Sequence, residues 1–203
     1  KDPHRPYTKN KGIQEGKKLA DVVVPPFLPD NDCVRNDILD YYSEVERFDQ
    51  ECGAIIKKLE LEGVLENTLI IMTSDNGMPF PRAKANLYDF GTRMPLAIYW
   101  KGVISNGTVF NDFVNFVDFG PTILEAAKLP IPKSFHGQSL VPVFTKAPVL
   151  QARNQVFLER ERHANVRKGD LSYPSRAVRN EEFLYIQNFE PNRWPAGDPT
   201  VHQ

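Results

Sequence analysis

Cysteine is scarce in this chain: two residues, Cys33 and Cys52, out of 203. That excludes a scaffold stapled by disulfides, which needs several pairs. Both fall in one helix predicted below. At ~1.5 Å of rise per residue they sit roughly 28 Å apart, too far to bridge each other, so they read as buried thiols. An excess of charge of either sign is also lacking, since 25 Lys and Arg face 26 Asp and Glu, for a net charge of -1. A nucleic-acid binder normally carries a basic excess, so that partner class is set aside. No apolar run approaches the ~18 residues of a membrane-spanning helix, which sets the membrane aside as a partner. No signal peptide, internal repeat or low-complexity tract is visible.

Proline, in contrast, is abundant, with 17 residues, and points to long rigid loops rather than a helical bundle. A composition of 41% hydrophobic and 25% charged residues is ordinary for a globular protein, and the length suits one domain or one and a half. Residues 1–32 read as irregular and proline-punctuated. Apolar residues then recur at Ile38, Tyr42, Val45, Phe48, Cys52, Ile55 or Ile56, and Leu59. This spacing predicts an amphipathic helix over 33–62, capped by Asn31 or Asp32 and ended by Gly63. Glu44, Arg47, Glu51, Lys58 and Glu62 form its solvated face.

Thr68–Thr73 reads as a strand that is apolar on both faces, as a covered parallel sheet requires. Pro95–Trp100 is a second buried strand, and Phe113–Val117 is a short apolar run. Asp118 is placed to cap a helix with Pro121 in its first turn. Gln155–Arg160 and Arg176–Phe189 then read as antiparallel strands, the latter turning at Arg179-Asn180-Glu181-Glu182. The expectation is an α/β protein with a mainly parallel sheet between helices, followed by the start of a small antiparallel subdomain. The division falls between 1–150 and 151–203.

The run Thr73-Ser74-Asp75-Asn76-Gly77-Met78-Pro79-Phe80-Pro81-Arg82-Ala83-Lys84 carries the most chemistry. An apolar strand ends in a carboxylate and an amide, and a proline-rich loop with two cations follows. Open α/β sheets place their ligands at such strand ends. Asp75 and Asn76 offer hard oxygen donors suited to calcium or magnesium, and equally make an Asx turn. Lys84 and Arg82 can neutralise a sulfate or phosphate oxygen, or remain solvated loop cations. His4, in Asp2-Pro3-His4-Arg5-Pro6, can donate a proton near neutral pH, or sit in a surface turn. His163, in Glu159-Arg160-Glu161-Arg162-His163, can read a polar sugar, or belong to an exposed ion-paired strand.

Several blocks in order resemble the sulfatase family, and most closely its heparan N-sulfatase branch. They are Asp2-Pro3-His4-Arg5-Pro6, the Leu69–Pro81 run, Asn86-Leu87-Tyr88-Asp89-Phe90-Gly91-Thr92-Arg93-Met94-Pro95-Leu96, Val117–Leu124 with His136-Gly137-Gln138-Ser139-Leu140, and Tyr173–Arg179. The resemblance implies an alkaline-phosphatase-like α/β core and hydrolysis of sulfate esters or sulfamates on sugars, with N-sulfoglucosamine favoured. It implies a Ca2+ ion held in part by Asp75 and Asn76, and catalytic roles for His4 beside the leaving group and Lys84 on the sulfate. Asp2, Arg5, Arg82 and His163 become substrate-binding candidates.

The family's nucleophile is a formylglycine made from a Cys-x-Pro-x-Arg motif. Cys33 is followed by Val34-Arg35-Asn36 and Cys52 by Gly53-Ala54-Ile55, so neither fits. The chain therefore resembles the carboxyl-terminal half of a sulfatase, inactive alone. The missing amino-terminal half of the same protein is its expected partner, beside a sulfated saccharide substrate, and a homodimer stays open. Family members are periplasmic, secreted or lysosomal. Other readings are an O-sulfatase, a metal-dependent phosphoesterase on the same fold, and a non-catalytic binder of sulfated glycans.

Overall fold

The computed structural model describes residues 5–147, 152–163, 165 and 167–196. Asp2 and His4 lie outside the described residues, as does the expected boundary at 150. The helices are α1 (Lys11–Gln14), α2 (Asp32–Leu61), α3 (Asp89–Thr92), α4 (Phe119–Ala126) and α5 (Val141–Phe144); the strands are β1 (Leu69–Thr73), β2 (Leu96–Trp100), β3 (Gln155–Arg160), β4 (Ser175–Asn180) and β5 (Leu184–Asn188).

Helix α2 follows the sequence closely. Asn31 holds an extended backbone conformation, and its side-chain oxygen accepts a hydrogen bond from the Val34 amide. Gly63 takes the left-handed conformation, φ 68°, that a residue with Cβ adopts only at a cost, and the next amide, Val64, bonds back to the Leu59 carbonyl at 3.0 Å. The amino-terminal half of α2 buries Ile38 and Leu39 against Val22 and Phe80, with Tyr41, Tyr42 and Met78 packed around them. Loop residues Met78 and Phe80 thus share a core with α2, which fixes one wall of the site. Buried Asp40 accepts the amides of Asn10 (2.9 Å) and Gly12 (3.0 Å), holding α1 to the same helix. The carboxyl-terminal half differs: Ile55 is 61% exposed and Ile56 37% among the described residues. The two cysteines are not buried as expected. Cys33 is exposed and Cys52 half-buried, because the first lies in the opening turn of the helix and the second on its uncovered half.

Strands β1 and β2 pair antiparallel, Leu69 opposite Trp100 and Thr73 opposite Leu96. The expected parallel relation does not hold for this pair. A parallel neighbour needs a crossover that returns the chain to the starting end of the sheet. Here the connection contains only a four-residue helix, α3, and the chain comes back from the end at which β1 finished. Nor are both faces covered among the described residues, since Met72, Leu96 and Tyr99 remain exposed.

Asp118 also departs from expectation. Its side chain does not cap α4; one oxygen accepts the Gln138 amide at 2.8 Å, and the other accepts the Asn115 amide at 3.0 Å and Arg153 Nη1 at 2.7 Å. The ion pair is almost wholly buried, at 5% and 8% side-chain exposure, and Arg153 Nη2 donates to the Gln138 carbonyl at 2.9 Å. Phe113–Val117 forms no strand; residues Phe116–Asp118 make a 3-10 turn leading into α4.

β3, β4 and β5 form the expected antiparallel sheet, in that order, with Phe157 opposite Val178 and Val178 opposite Tyr185. The turn between β4 and β5 is held by the Asn180 side chain, which accepts the amides of Glu182 and Phe183 at 3.0 and 2.7 Å. Among the described residues, this sheet and the segment leading into it meet the rest through Phe113 to the Arg153 carbonyl (2.9 Å), Asn115 Nδ2 to the Phe157 carbonyl (3.3 Å) and Arg179 to both oxygens of Asp89 (3.0 and 3.2 Å), besides the Asp118–Arg153 pair. No described helix is long and apolar enough to cross a membrane.

Candidate functional site

β1 delivers Asp75 and Asn76 at its carboxyl end, and the loop after it is built to hold its shape. Ser74 Oγ donates to the Asn76 carbonyl at 2.8 Å, closing a tight turn over Asp75. Gly77 then passes so close to the α3 segment that a Cβ there would fall 2.0 Å from the Phe90 carbonyl oxygen. Only glycine permits that approach, and the Gly77 amide uses it to donate to the Gly91 carbonyl at 3.2 Å. Farther on, the Met78 carbonyl accepts the amides of Phe80 (2.8 Å) and Lys84 (3.0 Å), which folds the loop back on itself. Asn86 Nδ2 donates to the Lys84 carbonyl at 3.1 Å. Lys84 is therefore pinned through its backbone on both sides. Its neighbours Arg82 and Ala85 adopt left-handed φ values of 60° and 63°, a conformation residues with a Cβ hold only when the surroundings demand it.

Among the described residues neither the Asp75 carboxylate nor the Asn76 side chain forms a hydrogen bond or ion pair, and Asp75 is exposed. Their oxygens are thus available at the end of β1. The donor chemistry fits a hard cation such as calcium. The number does not complete one: calcium takes about six to eight oxygens, and no group of three or more His, Cys, Asp or Glu among the described residues could hold a metal. The pair fits as part of a coordination shell.

The other candidates separate. Arg82 is exposed and lies over the Tyr88 ring, its guanidinium carbon 4.8 Å from the centroid, which anchors it on the loop's outer side. His163 is exposed in the connection between β3 and β4, and no described hydrogen bond or ion pair joins it to the Asp75 loop. The charge beside it is paired: Arg162 meets Asp170 at 2.8 Å, and Arg176 meets Glu161 at 2.6 Å.

Arg5 is the main surprise. Its Nη1 donates to Asp37 Oδ1 at 3.0 Å, its Nη2 to Asp37 Oδ2, and its Nε to the Pro79 carbonyl at 3.0 Å. Its guanidinium carbon lies 4.9 Å from both the Tyr7 and Phe80 ring centroids. Hydrogen bonding to Asp37 pushes the guanidinium pKa up against the opposing effect of burial, so the guanidinium stays charged. Arg5 was expected as a substrate-binding residue; in the structure these bonds go to Asp37 and to the Pro79 carbonyl. Sequence reasoning missed Asp37 because its partner Arg5 lies 32 residues away in the chain. Its signal was a carboxylate next to the apolar stripe with no local cation to pair with.

Known proteins resemble this chain over most of its length. A family model described as Sulfatase matches residues 2–129, and one described as N-sulphoglucosamine sulphohydrolase, C-terminal, matches residues 82–198. Human N-sulphoglucosamine sulphohydrolase is 35% identical over 184 residues, which are 83% of this chain and 34% of that protein. An ulvan-active sulfatase of Formosa agariphila is 31% identical over 171 residues, 84% of this chain and 27% of that protein. A solved structure described as in complex with its substrate D-glucosamine-2-N,6-O-disulfate superposes with a TM-score of 0.67 at 25% identity, covering 80% of this chain and 34% of that one. The chain thus spans about a third of the length of the relatives it matches.

Proposed function

This chain belongs to the sulfatase family, and from that premise we propose that the protein it comes from hydrolyses sulfate linkages on sugars, with N-sulfoglucosamine as the favoured substrate. The observation that carries the proposal is the loop after β1. It offers two oxygen donors, at Asp75 and Asn76, that no side chain among the described residues claims, and holds Lys84 by its backbone a short way along the same loop. A calcium ion there would supply positive charge against the sulfate oxygens.

This chain's own contribution is then limited and specific. Asp75 and Asn76 would donate oxygens to the metal. Lys84 would bind a sulfate oxygen and hold its charge as negative charge builds on the leaving group. His4 would give a proton to the departing nitrogen or oxygen. Arg82 and His163 remain candidates for sugar contacts away from the sulfur. The nucleophile, a formylglycine by family resemblance, has no counterpart at Cys33 or Cys52. It would come from the missing amino-terminal half, which would also cover the exposed Met72, Leu96 and Tyr99 of the β1–β2 pair. A periplasmic, secreted or lysosomal setting accords with that family.

An O-sulfatase is the second reading, favoured by the substrate named for the structural relative, D-glucosamine-2-N,6-O-disulfate. The experiment is sulfate release by the intact protein, coexpressed with its maturation enzyme, from glucosamine N-sulfate and glucosamine 6-sulfate, with an aryl phosphate as control. Release from the N-sulfate alone is the expected result. Release from the 6-sulfate alone would move the assignment to an O-sulfatase, and turnover of the phosphate alone would overturn the proposal.

A further inference from the structure

We infer that Arg5 is a positioning residue of this site rather than a ligand for the sugar: it fixes the loop between Asn76 and Lys84 by gripping the Pro79 carbonyl and anchoring it to α2 through Asp37. The inference rests on the preceding reading for what that loop does.

The geometry of the guanidinium carries the argument. An arginine that captures a substrate anion must present an open edge of its fork. Here the paired Nη atoms both engage Asp37, and Nε engages Pro79. Two aromatic rings lie within cation–π reach, and the side chain is only 28% exposed. Proline has no amide hydrogen, so Pro79 can be held only through its carbonyl or its ring. Among the described residues Arg5 is the one hydrogen-bond donor to that carbonyl. The ties from Met78 to Phe80 and Lys84 are internal to the loop and set its shape, and Gly77 joins its start to the Gly91 carbonyl, so among the described hydrogen bonds the Arg5 clamp is the one that fixes its middle to α2. Phe80 and Met78 pack apolar surface against α2, which is permissive to sliding, whereas the Arg5 clamp fixes position and direction. Arg5 also directly follows His4 in the chain, so the same short segment carries the candidate proton donor and the tether.

The test uses the intact protein with Arg5→Ala, Arg5→Lys and Asp37→Asn, reading kcat and KM for sulfate release and the hydrogen exchange of the Ala83 and Lys84 amides. A displaced loop acts on chemistry more than on binding. Arg5→Ala is therefore expected to lower kcat about 10²-fold with KM changed less than about threefold. Exchange at residues 83 and 84 should quicken, and added guanidinium ion should restore part of kcat. Lysine cannot make both bonds, so Arg5→Lys should fall short of wild type. Asp37→Asn added to Arg5→Ala should cost nothing further, because among the described residues Asp37 reaches the loop only through Arg5.

A rise in KM with kcat unchanged would make Arg5 a substrate ligand and overturn the inference. So would unchanged kinetics with unchanged exchange. If Arg5→Ala does not fold, Arg5→Lys and Asp37→Asn carry the same readouts. If the wild type releases no sulfate, the functional reading fails by itself, and exchange still decides the clamp: faster at residues 83 and 84 in the variants sustains it, unchanged overturns it.

Discussion

Lys84→Ala in the intact protein is expected to lower kcat/KM for sulfate release by about 10²–10³-fold, the usual loss when one fixed donor to a developing negative charge is removed. The size follows from how the lysine is held. Its amide is bound by the Met78 carbonyl and its own carbonyl by Asn86, so the side chain starts from a fixed root rather than a floppy loop. A charge placed before the reaction begins costs no reorganisation when the transition state forms. Lys84→Arg, which keeps the charge, should retain most of the activity. Both variants keep every described backbone bond of the loop, so thermal melts separate lost chemistry from lost stability. Steady-state kinetics beside thermal melts make the check. Lys84→Ala with kcat/KM within about threefold of wild type would remove the lysine from the site.

The second large effect concerns the joint between α4 and the segment leading to β3. Asp118→Ala or Arg153→Met is expected to destabilise the intact protein by about 3–5 kcal/mol, the cost of leaving one member of a buried ion pair without its partner. The pair is shielded from solvent, and each member has further work: Asp118 accepts two backbone amides, and Arg153 donates to the Gln138 carbonyl. The double variant Asp118→Asn/Arg153→Met should be less destabilised than Arg153→Met alone. It removes both charges and keeps an amide oxygen to accept backbone N–H groups. Denaturant midpoints read the effect. Two singles within about 1 kcal/mol of wild type would mean that the pair is solvated in the intact protein.

These two sites also mark where sequence legibility ends. Helix α2 was readable because its signals are local: a 3.6-residue apolar period, Asn31 at its start and Gly63 past its end. The β4–β5 hairpin was readable for the same reason, since Asn180 encodes its own turn. The antiparallel pairing of β1 with β2 was not, because an apolar strand specifies burial but not the direction of its neighbour. Asp118 was placed correctly at the start of α4, yet its partner Arg153 is 35 residues away and no local pattern links them. The partners of Arg5 were not legible for a related reason. Next to His4 it looked like part of an anion pocket, while the carboxylate that claims it stands on a helix 32 residues on. Local periodicity and turn chemistry are written in short windows, whereas ion pairs and strand order are settled by the fold.

The central claim is that Asp75 and Asn76 at the end of β1 form part of the metal end of a sulfatase site. Sulfate release from glucosamine N-sulfate, measured against free calcium for the intact protein and for Asp75→Ala, tests it most directly. The account predicts release that saturates with calcium in the wild type, and a curve for Asp75→Ala displaced to at least about tenfold higher calcium with a lower plateau. Superimposable curves, or release indifferent to calcium in both proteins, would contradict it.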